Sequence, residues 1–210
     1  MNMYLSRILL DRSKRKTIQA LNSPNLFHGA IETAPEGERP RSLWRIDKLN
    51  GKDYLLLLTQ EKPDLQSLVR QFGRSEEDTE TRDYSILLDK LSPGSKWFFR
   101  LDANPVKSVS TGEVGVRGVV TPIHDDAEIR AWLVRKGESN GFKLNESDFA
   151  IVTKSQISFL KKGIRRVSLQ SVRYEGVLEI TDVGTFRSAL VNGIGRGKAY
   201  GLGLMTLCRF

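Results

Sequence analysis

A β-hairpin is predicted by the stretch Leu43-Trp44-Arg45-Ile46-Asp47-Lys48-Leu49-Asn50-Gly51-Lys52-Asp53-Tyr54-Leu55-Leu56-Leu57-Leu58. Both ends of the stretch are rich in apolar and aromatic residues, which favour strands. Asn50-Gly51 lies between them, and this dipeptide favours a two-residue turn because both positions accept a positive φ. The hairpin therefore supplies two neighbouring antiparallel strands.

The elements on either side of the hairpin complete a ferredoxin-like pattern. Upstream we predict a strand at 3–10, a helical stretch with Ile18 and Leu21 on one side, a helix that begins at Pro24 with Ser23 as its N-cap, and a loop at 34–40. Downstream we predict a helix at 64–72, a polar loop at 75–83 and a strand at 84–88. The order β-α-β-β-α-β is typical of the ferredoxin-like fold.

The second half of the chain repeats this order after a linker at 91–94. The predicted elements are strands at 97–101, 149–152, 167–180 and 204–207, a hairpin arm at 114–121, helices at 125–135 and 182–190, and a glycine-rich loop at 193–203. We therefore expect an α+β protein of two tandem ferredoxin-like (RRM-like) domains, at residues 1–90 and 95–210.

Positive charge is concentrated near the C-terminus. The 210-residue chain has a net charge of +8, and residues 149–210 carry ten lysines and arginines against three acids, which is +7 of that total. A positive field confined to one part of a protein favours a polyanionic partner such as nucleic acid. A solvated basic face is the alternative.

Several functional classes are excluded by composition. No run of about 18 apolar residues is present, so we expect no membrane span. Cys208 is the only cysteine, which rules out an internal disulfide and predicts a cytoplasmic protein. Two histidines far apart in sequence, with one cysteine, do not form a usual zinc ligand set, so we expect neither a metal nor another cofactor.

Basic residues mark a predicted hairpin turn between the strands at 149–152 and 167–180. They are Lys161, Lys162, Arg165 and Arg166, with Lys154 on the preceding strand. From Phe149 to Tyr174 the chain has six basic residues and no acid. A phosphate backbone or the edge of a groove is the natural partner of such a hairpin, although a solvated hairpin would have the same composition.

The glycine-rich loop includes Gly195, Arg196, Gly197 and Lys198. Closely spaced glycines let backbone N–H groups approach a phosphate. The loop lacks the spacing of a P-loop and of a dinucleotide-binding turn, and it follows a helix rather than a strand, so neither ATP nor NAD is implied. A tight loop without a ligand is the alternative.

His28 is the candidate catalytic residue. Its direction on the Pro24 helix lies away from the apolar face, where an imidazole can titrate near neutral pH and transfer a proton. His124 precedes a predicted helix, and we interpret it as a loop residue. A nuclease without a metal would have to use the 2′-OH of RNA as its nucleophile, and would leave a 2′,3′-cyclic phosphate and a 5′-OH.

Five stretches in this order resemble the CasE family, the CRISPR repeat-RNA endoribonucleases of the type I-E Cascade system within the RAMP superfamily. They are Met3-Tyr4-Leu5-Ser6-Arg7, His28, Leu43-Trp44-Arg45, Phe99-Arg100-Leu101-Asp102-Ala103-Asn104-Pro105-Val106-Lys107 and Gly193-Ile194-Gly195-Arg196-Gly197-Lys198-Ala199-Tyr200-Gly201-Leu202-Gly203-Leu204-Met205. Each stretch has little specificity alone, but the ordered set spans almost the whole chain.

The resemblance implies a substrate and a mechanism. The substrate would be precursor CRISPR RNA, bound at the repeat stem-loop with the basic hairpin in the groove and cut at the base of the stem. His28 matches the family's catalytic histidine, and the protein would keep its product as a subunit of Cascade. Some members have a tyrosine three residues before this histidine; here that residue is Asn25. The alternatives are a non-cleaving RNA-binding subunit and a subunit that only scaffolds other chains.

Overall fold

The computed structural model describes residues 2–32, 42–112, 115–161 and 165–209. The first half comprises β1 (Tyr4–Leu9), α1 (Arg15–Asn22), α2 (Asn25–Glu32), β2 (Leu43–Leu49), β3 (Lys52–Thr59), α3 (Gln66–Phe72), β4 (Thr79–Asp83) and α4 (Ser85–Leu88). Its four strands form an antiparallel sheet in the order β2-β3-β1-β4. The predicted hairpin is present, with Asn50 and Gly51 both at positive φ.

The second half comprises β5 (Lys96–Ala103), β6 (Val106–Val109), β7 (Val119–Pro122), α5 (Asp126–Ser139), β8 (Phe142–Lys143), β9 (Phe149–Lys161), β10 (Arg165–Ile180), α6 (Val183–Asn192) and β11 (Met205–Cys208). Single 3₁₀ turns lie at Glu146–Asp148 and Lys198–Tyr200. The main sheet has the order β11-β5-β10-β8, with β9 also paired to β10. Both halves therefore have the strand arrangement of the ferredoxin-like fold, and the predicted tandem architecture is confirmed.

Strand β10 belongs to two structures. Its residues from Val172 onward pair with β5 in the main sheet, whereas residues 165–171 pair only with β9 among the described strands. The outer parts of β9 and β10 therefore form a two-stranded ribbon that extends from the sheet. A register shift lies between Arg173 and Tyr174, next to the point where the ribbon begins.

The end of the first half differs from the prediction. The segment expected to be a polar loop forms strand β4, and the segment expected to be a strand, 84–88, is a helical turn. β4 lies at the edge of the sheet, where its polar side chains pair with those of β1. Ser6 Oγ lies 2.9 Å from Thr81 Oγ1, and Arg7 Nη2 lies 2.9 Å from Glu80 Oε2. A strand at the edge of a sheet does not need alternating apolar residues, so the polar sequence of β4 was interpreted as a loop. In the second half, the predicted arm is the β6–β7 hairpin, and Val114 lies outside the described residues.

The first sheet is covered on both faces. Leu55 of β3 packs on one face in a cluster with Phe27 of α2. Leu43 and Leu58, on the other face, belong to a cluster that continues into the second half through Leu101. Burial of both faces explains why β3 has a continuous apolar run rather than an alternating pattern.

Arg45 of β2 joins the two halves and is only 1% exposed. Its Nε and Nη2 donate to the two carboxylate oxygens of Asp47, each at 2.8 Å. Nη1 donates to the carbonyl oxygens of Arg100 and Leu204 at 3.0 and 2.8 Å, and Nη2 also donates to Thr206 Oγ1 at 2.8 Å. All five guanidinium hydrogens therefore have acceptors, and three of those acceptors belong to the second half.

Two further arginines of the second half surround Asp47. Arg173 forms a bidentate pair with Asp102, at 2.7 Å for both bonds, and its Nη2 lies 3.4 Å from Asp47 Oδ1. Arg100 Nη1 lies 3.4 Å from Asp47 Oδ2. Burial opposes ionisation of Asp47, but the hydrogen bonds from Arg45 and the three positive charges outweigh it and lower the pKa of this carboxyl group.

We predict that Asp47→Asn lowers the free energy of unfolding at pH 7 by about 3–5 kcal/mol, because it leaves the buried Arg45 without its counterion. The lowered pKa of Asp47 gives stability that is present above its unfolded pKa of about 3.9 and is lost as pH falls through the folded value. The difference between wild type and variant in urea denaturation should therefore shrink as pH falls below about 3.9. The exposed control Glu77→Gln should match wild type at pH 7. A constant difference across this range would contradict the assignment.

Candidate functional site

His28 lies on the second helix of the first half, beside an aromatic anchor. The preceding residue, Phe27, is 1% exposed, and its ring packs 5.6 Å from Trp44 and 4.9 Å from Phe72. This packing fixes one side of α2 against the sheet. The next residue along the helix then points away from the core, and the His28 side chain is 29% exposed. The predicted direction of His28, off the apolar face, is confirmed.

The His28 imidazole contacts both halves of the molecule. Its Nε2 lies 3.4 Å from Glu32 Oε2, one helical turn later. Its ring lies 6.3 Å from the Tyr200 ring at an interplanar angle of 67°, an edge-on arrangement. Tyr200 ends the 3₁₀ turn inside the glycine-rich loop, more than 170 residues later in the chain. Asn25 lies one helical turn before His28 and accepts a hydrogen bond from Ser23 Oγ at 2.9 Å.

The glycine-rich loop packs directly against strand β2. At Gly201, φ is +82°, and an added Cβ would lie 2.8 Å from Trp44 Cζ3. At Gly193, φ is +76°, and an added Cβ would lie 2.8 Å from Leu43 Cδ2. These two glycines are therefore required by backbone geometry and by close contact between the halves. The phosphate-binding role of Gly195 and Gly197 stays a prediction.

A groove of about 1070 Å³ lies between the β9–β10 ribbon, the β6–β7 arm and the glycine-rich loop. Six residues predicted to bind RNA line it: Lys154, Arg166, Gly195, Arg196, Gly197 and Lys198. Lys162 lies outside the described residues, and so do the side chains of Lys161 and Arg165. The structure thus brings the basic hairpin strands and the glycine-rich loop, which are distant in sequence, to one surface.

The cations of the groove differ in their present partners. Lys154 Nζ is 2.5 Å from Asp126 Oδ1, and Lys198 Nζ donates to the carbonyl oxygen of Asn192 at 2.6 Å. Arg166 and Arg196 are exposed. A phosphate would therefore compete with an acid for Lys154, which reduces the net gain from that contact.

The groove also offers neutral groups that sequence reasoning missed. The side-chain oxygens of Asn104 and Gln170 are buried in its wall and have no hydrogen-bond partner among the described residues. Unpaired buried acceptors are uncommon and suit a ligand that brings hydroxyl or amino donors. His124, expected to be a loop residue, lies between β7 and α5 and lines the groove as well. Asn104 belongs to a motif noted in the sequence, but no local pattern signals its burial or that of Gln170.

The described residues contain neither a candidate metal site nor a candidate membrane-spanning helix. No group of three or more His, Cys, Asp or Glu residues that could hold a metal ion occurs among residues 2–32, 42–112, 115–161 and 165–209. Within the same ranges, no helix is both long and apolar enough to cross a membrane.

The structure combines tandem ferredoxin-like sheets with a basic groove, which defines a class of protein suited to binding a polyanion. The chain belongs to the CRISPR-associated protein family, whose sequence profile matches residues 3–209. This membership confirms the resemblance found in the sequence.

Individual relatives match the chain over its full length. It is 30% identical to the CRISPR-associated endoribonuclease Cse3 of Thermus thermophilus, over 98% of this chain and 99% of the relative. It is 25% identical to the Cascade subunit CasE of Escherichia coli, over 98% of each chain. The structure of Thermus thermophilus Cse3 bound to an RNA representing a pre-cleavage complex aligns with a TM-score of 0.84 and 28% identity, over 99% of this chain and 100% of that one. Escherichia coli Cas6e shares the fold, with a TM-score of 0.59 and 21% identity over 99% and 100% of the two chains.

We predict that Gly201→Ala destabilises the protein by about 1–3 kcal/mol, because alanine is strained at this φ and its Cβ would overlap the Trp44 ring. Urea denaturation followed by tryptophan fluorescence measures the change. Gly184→Ala is the matched control: it lies in α6, where the added Cβ meets nothing closer than 3.6 Å, and alanine favours helix. Equal stability of the two variants would contradict close packing of the loop on β2.

Proposed function

We propose that this protein is an endoribonuclease that binds the stem-loop of CRISPR repeat RNA and cuts precursor CRISPR RNA at the base of the stem. The observation that carries the proposal is the full-length likeness to endoribonuclease Cse3, at 30% identity, and to its RNA-bound structure, at a TM-score of 0.84. The basic groove supports the same conclusion independently, because it offers cations and acceptors on one surface.

In the proposed reaction, RNA supplies its own nucleophile. The 2′-OH next to the scissile phosphate attacks phosphorus as a base takes its proton, and the 5′ oxygen leaves as an acid protonates it. The products are a 2′,3′-cyclic phosphate and a 5′-OH, without a metal ion. His28 is the catalytic residue, since an imidazole can give or take a proton near neutral pH and this one is partly exposed.

The RNA-binding surface is the groove together with the basic hairpin. Arg166 and Arg196 are exposed there, with Lys154, Lys198 and the backbone of Gly195 and Gly197 beside them. Lys161, Lys162 and Arg165 belong to the same proposed set, because they lie between Lys154 and Arg166 in the sequence. Double-stranded RNA is recognised mainly through its shape, phosphates and 2′-OH groups, which suits flexible cations and the amide oxygens of Asn104 and Gln170.

The proposal also covers the domain organisation of the protein, its compartment, and its assembly with other chains. The two domains span residues 1–90 and 95–210, consistent with the two main sheets, which begin and end within these bounds. The protein acts in the cytoplasm and retains its RNA product. It joins other Cascade subunits, as the name of its Escherichia coli relative suggests.

One observation favours a second candidate, an RNA-binding subunit that does not cleave. Asn25 stands where some members of the family have tyrosine, and its side-chain oxygen accepts a hydrogen bond from Ser23. The groove would be equally suitable for such a subunit.

We expect the purified protein to cut its host's CRISPR repeat RNA once in the presence of EDTA. His28→Ala should lower the single-turnover rate by about 100-fold or more, the usual contribution of general acid–base catalysis, with unchanged RNA affinity. RNA with a 2′-deoxy residue at the cut site should bind but remain intact. Tight binding without cleavage by wild type would contradict nuclease function and favour the second candidate.

We further expect Arg166→Ala and Arg196→Ala each to weaken binding of repeat RNA. Each should reduce the slope of log affinity against log salt by about one, because one phosphate contact is lost. Arg70→Ala is the control, since Arg70 is exposed on α3 and is not among the described residues of the groove. Titrations at several salt concentrations measure the slopes, and three identical slopes would contradict this interface.

A further inference from the structure

The His28 side chain has little restraint from its own helix. The imidazole is 29% exposed, and its ion-pair partner Glu32 is 57% exposed. An exposed pair one helical turn apart contributes only a few tenths of a kcal/mol. A proton-transfer group must nevertheless be held within a fraction of an ångström of its working position. The restraint must therefore come largely from a neighbour outside α2.

Tyr200 is such a neighbour, and contacts from both halves outside α2 hold it in place. Its ring packs 4.9 Å from the ring of Phe159 on β9. Its backbone N–H donates to the carbonyl oxygen of Gly197 at 2.8 Å, closing the 3₁₀ turn. The next residue, Gly201, lies against the Trp44 ring, which is itself 2% exposed. The ring of Tyr200, its backbone N–H and the residue that follows it are thus each held by a contact other than the one with the imidazole.

We propose that Tyr200 is a positioning residue for His28: its aromatic ring, reaching across from the glycine-rich loop, restricts the imidazole to the orientation used in cleavage. This inference rests on the proposed function. The edge-on geometry, with ring centres 6.3 Å apart, is one that aromatic pairs prefer, because the positive edge of one ring meets the negative face of the other. The ring alone supplies this contact, so the hydroxyl group is not required.

The position of Tyr200 links this contact to the bound RNA. Tyr200 lines the large groove and also a second cavity of about 420 Å³ bounded by Pro24, Phe27 and Trp44 of the first half. It therefore stands where the RNA-binding surface of the second half meets the helix that carries His28. Loss of the Tyr200 ring alone, with the glycine-rich loop still packed on β2, would release the imidazole and leave the cations of the groove in place.

The test compares Tyr200→Phe, which keeps the ring, with Tyr200→Leu, which keeps apolar volume without it. Single-turnover cleavage is measured at saturating protein, and affinity is measured with repeat RNA blocked by a 2′-deoxy residue at the cut site. Tyr200→Phe should cut within about twofold of wild type. Tyr200→Leu should cut on the order of tenfold more slowly with unchanged affinity, since small displacements of a reacting group are costly. Added to His28→Ala, Tyr200→Leu should cause no further loss, because it acts through the missing imidazole.

Three results would overturn the proposal. Equal loss in both variants would mean that the hydroxyl group itself acts on the substrate. Loss of affinity in Tyr200→Leu would mean that the ring binds RNA. A further loss in the His28→Ala background would mean that Tyr200 works independently of His28.

A second readout does not depend on cleavage. The chain has two histidines, so the imidazole C–H signals of His28 and His124 can be assigned by NMR from the His28→Ala variant. The ring of Tyr200 should shift the His28 signals in wild type and Tyr200→Phe, and Tyr200→Leu should lose this shift while the His124 signals stay in place. Unchanged His28 signals in Tyr200→Leu would refute the contact. If wild type does not cut RNA but these shifts are found, the nuclease function fails while the ring contact stands.

Discussion

The bidentate pair between Arg45 and Asp47 holds the two halves of the molecule in one arrangement. Arg45 donates from β2 to Arg100, Leu204 and Thr206 of the other sheet, and Asp47 neutralises it from the same strand. A buried guanidinium with all its hydrogens bonded tolerates little displacement, because each lost bond leaves an unpaired donor away from water. These bonds therefore fix the position of β2 and of the two elements that pack on it, α2 and the glycine-rich loop.

The functional site depends on that arrangement because it has no complete form within either half. The first half contributes His28 on α2, which is anchored by Phe27 against Trp44. The second contributes Tyr200 and the cations of the groove. Leu43 and Trp44, the residues beside Arg45, are the ones that the glycine-rich loop packs on. Docking of the sheets thus sets the position of the His28 imidazole relative to the basic groove.

Much of the fold could be predicted from sequence because its signals are local. The Asn50-Gly51 turn, the helix predicted at 182–190, at whose start the Asp182 carboxylate accepts from Thr185 N at 2.6 Å, and the outward direction of His28 each depend on a few neighbouring residues. Strand β4 was missed because its polar residues are stabilised by pairing with β1, a partner over 70 residues away. The contact between His28 and Tyr200 was missed for the same reason: both residues were quoted in motifs, but no spacing in the chain reveals that two motifs meet.

The β9–β10 ribbon is an extension of the main sheet that is held at one end. Its base is fixed where Val172 pairs with Ala103 in the main sheet. Its outer residues pair only with each other among the described strands. Because β10 is one continuous strand, a displacement of its outer residues 166–171 is passed along the backbone to Arg173 in the main sheet, whose carboxylate partner is Asp102. The stiffness of a single strand therefore connects any force on the outer ribbon to the charge cluster that joins the two halves.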